Sequence, residues 1–133
     1  MGATRALLAA LRECALPADA FDYINLHGTA SHHNDAVEAA LVARALPGIC
    51  ASSTKGVTGH TLGAAGALEA VLTLLALQEG VVPGTVGCVR PEPDIAAQLV
   101  LAPQQRALRR ALSFSFGFGG SNACLAFARA DAA

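Results

Sequence analysis

The chain has 133 residues, of which 53% fall in the AVILMFWYC set and 14% are charged, with a formal net charge of −1. At roughly 150 residues per domain this is one globular unit, and the composition excludes a disordered, highly charged chain. A near-neutral balance also gives no electrostatic footprint for nucleic acid or for an anionic membrane surface.

Ala3 to Ala15 reads as an amphipathic helix, with Leu7, Leu8, Leu11 and Ala15 on one face. Pro17 and Asp19 break it. Phe21 to Leu26 is short, apolar and β-prone, a strand running into His27-Gly28-Thr29. Asp35 and Glu38 have capping-box spacing, which predicts a helix from there to about Leu46, stopped by Pro47-Gly48. Ile49 to Ser52 reads as a buried strand and Ser53 to His60 as a glycine-punctuated loop. Leu62 to Glu79 is the second long helix, small at its start and apolar nearly all round later, so protein is expected on both sides of it. Val81 to Asp94 reads as irregular and Leu99 to Leu101 as a weak strand. Leu112 to Phe116 and Ala123 to Phe127 form a hairpin about Gly117-Phe118-Gly119-Gly120. Strands alternating with buried helices make this a layered α/β domain over residues 1–133.

Cys14, Cys50, Cys88 and Cys124 lack the C-x-x-C spacing of a zinc or redox pair and read as buried structural thiols in a reducing, cytoplasmic setting. The first residues, Met1 to Arg5, lack the apolar core of a signal peptide. Leu62 to Leu77 is shorter than the roughly 20 residues of a bilayer span and contains Glu69, which favours a core helix over a membrane span.

Four places carry candidate chemistry, each with a plainer reading beside it. His27 follows a strand end, where α/β folds place clefts, or it is a histidine that merely caps that strand. His60 precedes a helix whose free N–H groups suit developing negative charge and disfavour an imidazolium, or it is an ordinary helix-start residue. Lys55 is the only lysine among nine basic residues. It is either a solvated loop lysine or the partner that a carboxylate at Glu69, set among apolar helix residues, requires. The glycine-rich hairpin turn can present backbone N–H groups to an oxyanion, although such a turn also serves hairpins without function. A phosphate loop is excluded because G-x-x-x-x-G-K-[ST] is absent, and His32-His33-Asn34-Asp35 matches no zinc spacing.

Asn25-Leu26-His27-Gly28-Thr29, Ser53-Thr54-Lys55 to Gly59-His60, Leu62-Gly63-Ala64-Ala65-Gly66 and Ser115-Phe116-Gly117-Phe118-Gly119-Gly120-Ser121-Asn122 follow one another in a familiar order and spacing. Together they resemble the C-terminal part of the β-ketoacyl-[acyl-carrier-protein] synthases, the condensing enzymes of fatty-acid and polyketide synthesis. The resemblance implies the C-terminal half of a thiolase-like layered fold, a mixed sheet packed against helices. It implies an acyltransferase that condenses malonyl-carrier protein with an acyl thioester by decarboxylation. His27 and His60 become the catalytic histidines and Lys55 the active-site lysine, with Glu69 as its partner. Phe118 becomes the residue whose backbone N–H shares the oxyanion hole and whose ring gates the acyl pocket. Thr29 and Ser31 match pantetheine contacts, with Phe116, Gly117 and Gly119 at the substrate site. Asn25, Glu69, Ser113 and Asn122 match a monovalent-cation site of some members, the one cofactor implied. The implied partners are an acyl carrier protein and a second subunit, in a homodimer or heterodimer.

The sequence departs from the pattern at Phe114, where many members have Asn, at Ala30, and at Gly84 and Gly87. None of the four cysteines lies in the family's nucleophile motif, so the chain by itself is expected to be inactive. Two readings from other classes stand beside this one: a non-catalytic, chain-length-factor-like partner subunit and a small independent binding module. The Arg106-Arg109-Arg110 cluster reads as a solvated patch or as a surface for an acidic carrier protein.

Overall fold

A computed structural model describes residues 2–132; Met1 and Ala133, the ends of the predicted domain, lie outside the described residues. Helix α1 (Gly2–Cys14) is followed by β1 (Tyr23–Asn25), α2 (His32–Ala45), β2 (Cys50–Ser52), the short α3 (Lys55–Thr58) and α4 (Ala65–Glu79). A two-residue pair, β3 (Val81–Val82) and β4 (Gln104–Gln105), precedes the hairpin of β5 (Arg110–Phe116) and β6 (Asn122–Ala128). The main sheet has the order β2-β1-β5-β6, parallel across its first three strands and antiparallel at the hairpin. Leu99 adds a parallel bridge to Ala51 beyond β2. This is the mixed sheet packed against helices that the sequence predicts.

Alternation along the strands splits the core between the two sheet faces. Ile24, Leu112 and Phe114 point to the side covered by α1 and α2, where Leu7, Ala39, Leu41 and Val42 meet them. Tyr23 and Ala111 point to the side covered by α4, against Ala76 and Leu77. Each buried Leu or Phe here contributes roughly 1.5–3 kcal/mol of apolar burial. The parallel strands β1 and β2 end at the same edge, which delivers the residues after Asn25 and after Ser52 to one place.

The structure corrects several sequence expectations. Helix α2 starts at His32 behind Ser31, so Asp35 and Glu38 are not a capping box; the Glu38 carboxylate leaves its helix to accept tertiary bonds described below. The segment after Gly80 is not wholly irregular, because β3 and β4 pair there; strands of two residues leave no periodic signal. Only one side of α4 is covered. Ala65, Glu69, Thr73, Ala76 and Leu77 are buried, whereas Val71, Leu74 and Leu75 are about half exposed. Leu62–Glu79 therefore has the length and apolarity of a candidate span, but its middle carries a buried carboxylate with a lysine partner. Among the cysteines only Cys50 is buried, and the other three are half-buried free thiols. Burial and the neighbouring Cys14 push the Cys124 thiol up to about 12, so it is not an activated nucleophile. Arg110 begins β5, at the end of the sheet opposite Phe116, so the arginine cluster lies far from the histidines.

Candidate active site

His27 lies two residues past β1 and is almost wholly buried. Its position is fixed through its backbone. The N–H of His27 donates to Glu38 Oε1 at 2.7 Å and that of Gly28 to Glu38 Oε2 at 2.8 Å, with Asn34 Nδ2 adding a bond to Oε2 at 3.3 Å. Gly28 is required here: its φ is +44°, and an added Cβ would stand 2.5 Å from Ser53 Cβ and Oγ. Burial pushes the Glu38 carboxyl up to about 7, although the three hydrogen bonds oppose that rise.

Lys55 opens α3, and its side chain is buried. Its ammonium pairs with Glu69 Oε1, and Nζ also stands 3.3 Å from His27 Nδ1. The expected Lys55–Glu69 pair is therefore present, and it reaches the histidine as well. An ammonium can only donate, so Nδ1 of His27 accepts and the ring proton resides on Nε2. Burial, then the Lys55 charge, then His60 push the His27 imidazole down to about 4, so the ring is neutral at pH 7.

His60 is exposed, in the loop between α3 and α4. Its Nδ1 accepts from the Leu62 N–H at 3.1 Å, which again leaves the proton on Nε2. The two imidazoles meet edge to face, their centroids 5.5 Å apart and their planes at 86°. Behind them Phe116 lies 5.5 Å from the His27 ring and Phe114 lies 5.0 Å from Phe116. The structure thus joins His27, Lys55, His60, Glu69 and Phe116 into one constellation. A cleft of about 710 Å³ opens beside it, lined by Thr29, Glu38, Lys55, His60, Thr85 and Val86 among others.

Other predicted site residues lie at its margin. Thr29 is at the cleft wall, its hydroxyl 3.0 Å from that of Ser31. Phe116 and the turn residues Gly117, Phe118 and Gly119 lie outside the cleft lining, and the Phe118 ring is fully exposed. The Gly117 N–H is committed to Ser121 O at 2.8 Å. The predicted cation residues divide between the two faces of the sheet. Asn25 and Ser113 are register partners on the α4 side, and Asn25 Oδ1 and Glu69 Oε2 are buried without a hydrogen-bond partner. Asn122 pairs with Phe116 and points to the α1 side against Gly2, so it does not belong with the other three.

Glu38, which accepts from His27 N–H and Gly28 N–H, is the site residue that sequence reasoning missed. A carboxylate among Val37, Ala39, Leu41 and Val42 is the same signal that singled out Glu69, but the capping-box spacing gave it a local explanation. Tyr23, fully buried with its hydroxyl 2.9 Å from Ser52 Oγ, completes the polar layer beneath Lys55 and went unread as an ordinary strand aromatic.

The family described as beta-ketoacyl synthase, C-terminal domain, matches residues 1–89. The chain belongs to the β-ketoacyl synthase family. It is 44% identical over 135 residues to the mitochondrial 3-oxoacyl-[acyl-carrier-protein] synthase of Arabidopsis thaliana, covering 96% of this chain and 29% of that protein. A ketosynthase solved with its chain length factor from Xenorhabdus doucetiae superposes with a TM-score of 0.86 at 38% identity, over 96% of this chain and 33% of that one. A type II polyketide ketosynthase solved with its acyl-carrier protein superposes with a TM-score of 0.87 at 28% identity, over 98% and 34% respectively. The chain spans about a third of the length of these relatives, and the thiolase-like ketosynthase fold is shared over that third.

Proposed function

We propose that this β-ketoacyl synthase chain supplies the decarboxylation machinery of a 3-oxoacyl-[acyl-carrier-protein] synthase of fatty-acid or polyketide synthesis. The observation that carries the reading is the pair of imidazoles 5.5 Å apart, each with Nδ1 accepting a hydrogen bond, which leaves the proton of the neutral ring on Nε2. Loss of carbon dioxide from a malonyl thioester moves negative charge onto the thioester oxygen. Two N–H donors converging on that oxygen stabilise the enolate as it forms and make no proton transfer, which is electrostatic preorganisation. Burial first, and then like-charge repulsion from Lys55, keeps His27 uncharged, and Glu69 balances that ammonium.

The enolate then attacks an acyl group held as a thioester on a cysteine that this chain does not contain, so the isolated chain loads no acyl group. The bare apolar side of α4, with Val71, Leu74 and Leu75, is a surface for the remainder of such an enzyme, and an acyl carrier protein delivers the malonyl group. A chain-length-factor-like role needs no donor pair and no buried lysine, so the catalytic reading is preferred. Asn25 Oδ1 and Glu69 Oε2, buried without hydrogen-bond partners, have the hard-oxygen chemistry a monovalent cation takes, with Ser113 next to Asn25 in register and Asn122 on the opposite face. Such an ion would supply a fixed positive charge to two buried oxygens that otherwise lack a donor.

The test is a chimaera in which this chain replaces the matching segment of a relative, assayed for release of labelled carbon dioxide from malonyl-carrier protein. His60→Ala should lower that rate about 10²–10³-fold while leaving acyl loading intact. Unchanged carbon dioxide release would refute the assignment.

A further inference from the structure

Among the described residues three other than glycine have positive φ: Ala15, Ala30 and Leu62. Leu62 is the largest of them, at φ +53°, and it is 75% exposed, so packing among the described residues does not account for the conformation. A left-handed backbone is unfavourable for any residue with a Cβ. Leu62 also opens the helical turn Leu62–Ala64 that leads into α4, and the first N–H groups of a helical segment lack intrahelical acceptors. Its N–H is the one that donates to His60 Nδ1.

We propose that Leu62 is a positioning residue for His60 and that it acts through its left-handed backbone, not its side chain. The peptide before Leu62 faces back toward the His60 ring, while the chain beyond must leave in the direction of α4; the left-handed turn reconciles the two. The bond it preserves holds the imidazole edge-on to His27 and keeps the Nε2 proton on the side of the cleft. The inference deepens the donor role proposed for His60 and rests on it for its consequence, but its test reads no chemistry.

The test is ¹⁵N NMR of the His60 ring nitrogens, with ring-to-ring cross-peaks to His27, in the full chain. Leu62→Gly keeps the N–H and tolerates positive φ; Leu62→Pro removes the N–H and cannot reach that φ; Leu62→Ile keeps the N–H on a β-branched residue that resists it. Leu62→Gly should retain the wild-type Nδ1 shift and the His27 cross-peak. Leu62→Pro should lose both, and Leu62→Ile should weaken the cross-peak at least twofold. Retention of both signals in Leu62→Pro would overturn the proposal. So would their loss in Leu62→Gly while the amides of Tyr23 and Ala111 stay in place. Should the proline variant not fold, the glycine and isoleucine variants decide: equal signals overturn it, and a loss confined to isoleucine supports it. Unchanged carbon dioxide release in His60→Ala would sink the functional reading and leave this result standing.

Discussion

Glu38 gives the sharpest quantitative prediction. Its carboxyl is wholly buried and titrates at about 7 instead of 4.5, a rise of about 2.5 pH units. At about 1.36 kcal/mol per unit, this is a difference of about 3 kcal/mol between the protonated and ionised forms. The folded chain binds this proton more tightly than the unfolded chain. The contribution to stability is therefore complete below pH 4.5 and is lost as pH rises through 7. His27 works in the opposite sense: with its pKa down at about 4, stability is lost as pH falls from 6.5 toward 4, because the folded site resists the imidazolium. Between about pH 4.5 and 6.5 the two slopes oppose each other, and the wild-type curve is flatter than either group alone would make it. Glu38→Gln removes one of them. Urea unfolding at intervals from pH 4.5 to 8 should show the variant gaining about 3 kcal/mol on the wild type across that range, whatever its absolute stability at pH 4.5. A constant difference between the two curves would refute the burial argument. The same group serves the site best when it is charged, because both carboxylate oxygens are then strong acceptors, one from His27 N–H and one from Gly28 N–H.

Lys55→Met leaves the Glu69 carboxylate buried without its cation and should destabilise the fold by about 3–5 kcal/mol, with much of this recovered in the Lys55→Met/Glu69→Gln double variant. In the double variant the His27 imidazole should titrate well above 4 by NMR, since the Lys55 charge is second only to burial among the causes of its low value. Gly28→Ala places a Cβ against Ser53 at φ +44°, so about 1–3 kcal/mol should be lost in denaturant titration; a neutral result would mean that the His27 loop is looser than its contacts imply. Potassium chloride should raise the melting temperature above that in choline chloride at equal ionic strength, and Glu69→Gln should abolish the difference. Identical melting in the two salts would refute the fit of Asn25 Oδ1 and Glu69 Oε2 to a cation.

What was legible in the sequence was whatever has a period or a punctuating residue. Both long helices, the strand before His27 and the glycine turn of the hairpin are of this kind. Lys55 and Glu69 were also legible as a pair, because a lone lysine and a carboxylate in an apolar stretch each need the other. Glu38 was misread because its spacing to Asp35 satisfies a local rule, and only the fold shows that β1 ends within reach of α2. The bare side of α4 was misread for a related reason. Periodicity shows that a face is apolar, but not whether this length of chain holds anything to cover it. The position of Asn122 follows from β5–β6 register: it pairs with Phe116, and so falls on the face opposite Ser113.

The two misread and correctly read glutamates belong to one device. Glu38 comes from α2 on one face of the sheet and Glu69 from α4 on the other, and both reach the same strand end. Two carboxylates near an imidazole would ordinarily raise its pKa and charge it. Here neither touches the ring. Glu38 is occupied by backbone N–H groups, and Glu69 is occupied by the Lys55 ammonium, which is the charge His27 Nδ1 meets. The two carboxyl groups hold the histidine in place from behind and from the side, while the ring itself meets the Lys55 ammonium, the His60 imidazole and the Phe116 ring. A histidine held so firmly by acids and yet kept neutral is suited to donating a hydrogen bond to a forming oxyanion and unsuited to giving up or taking a proton. Under the proposed function, that distinction, more than the presence of two histidines, is the reason to expect enolate stabilisation in place of general acid–base catalysis.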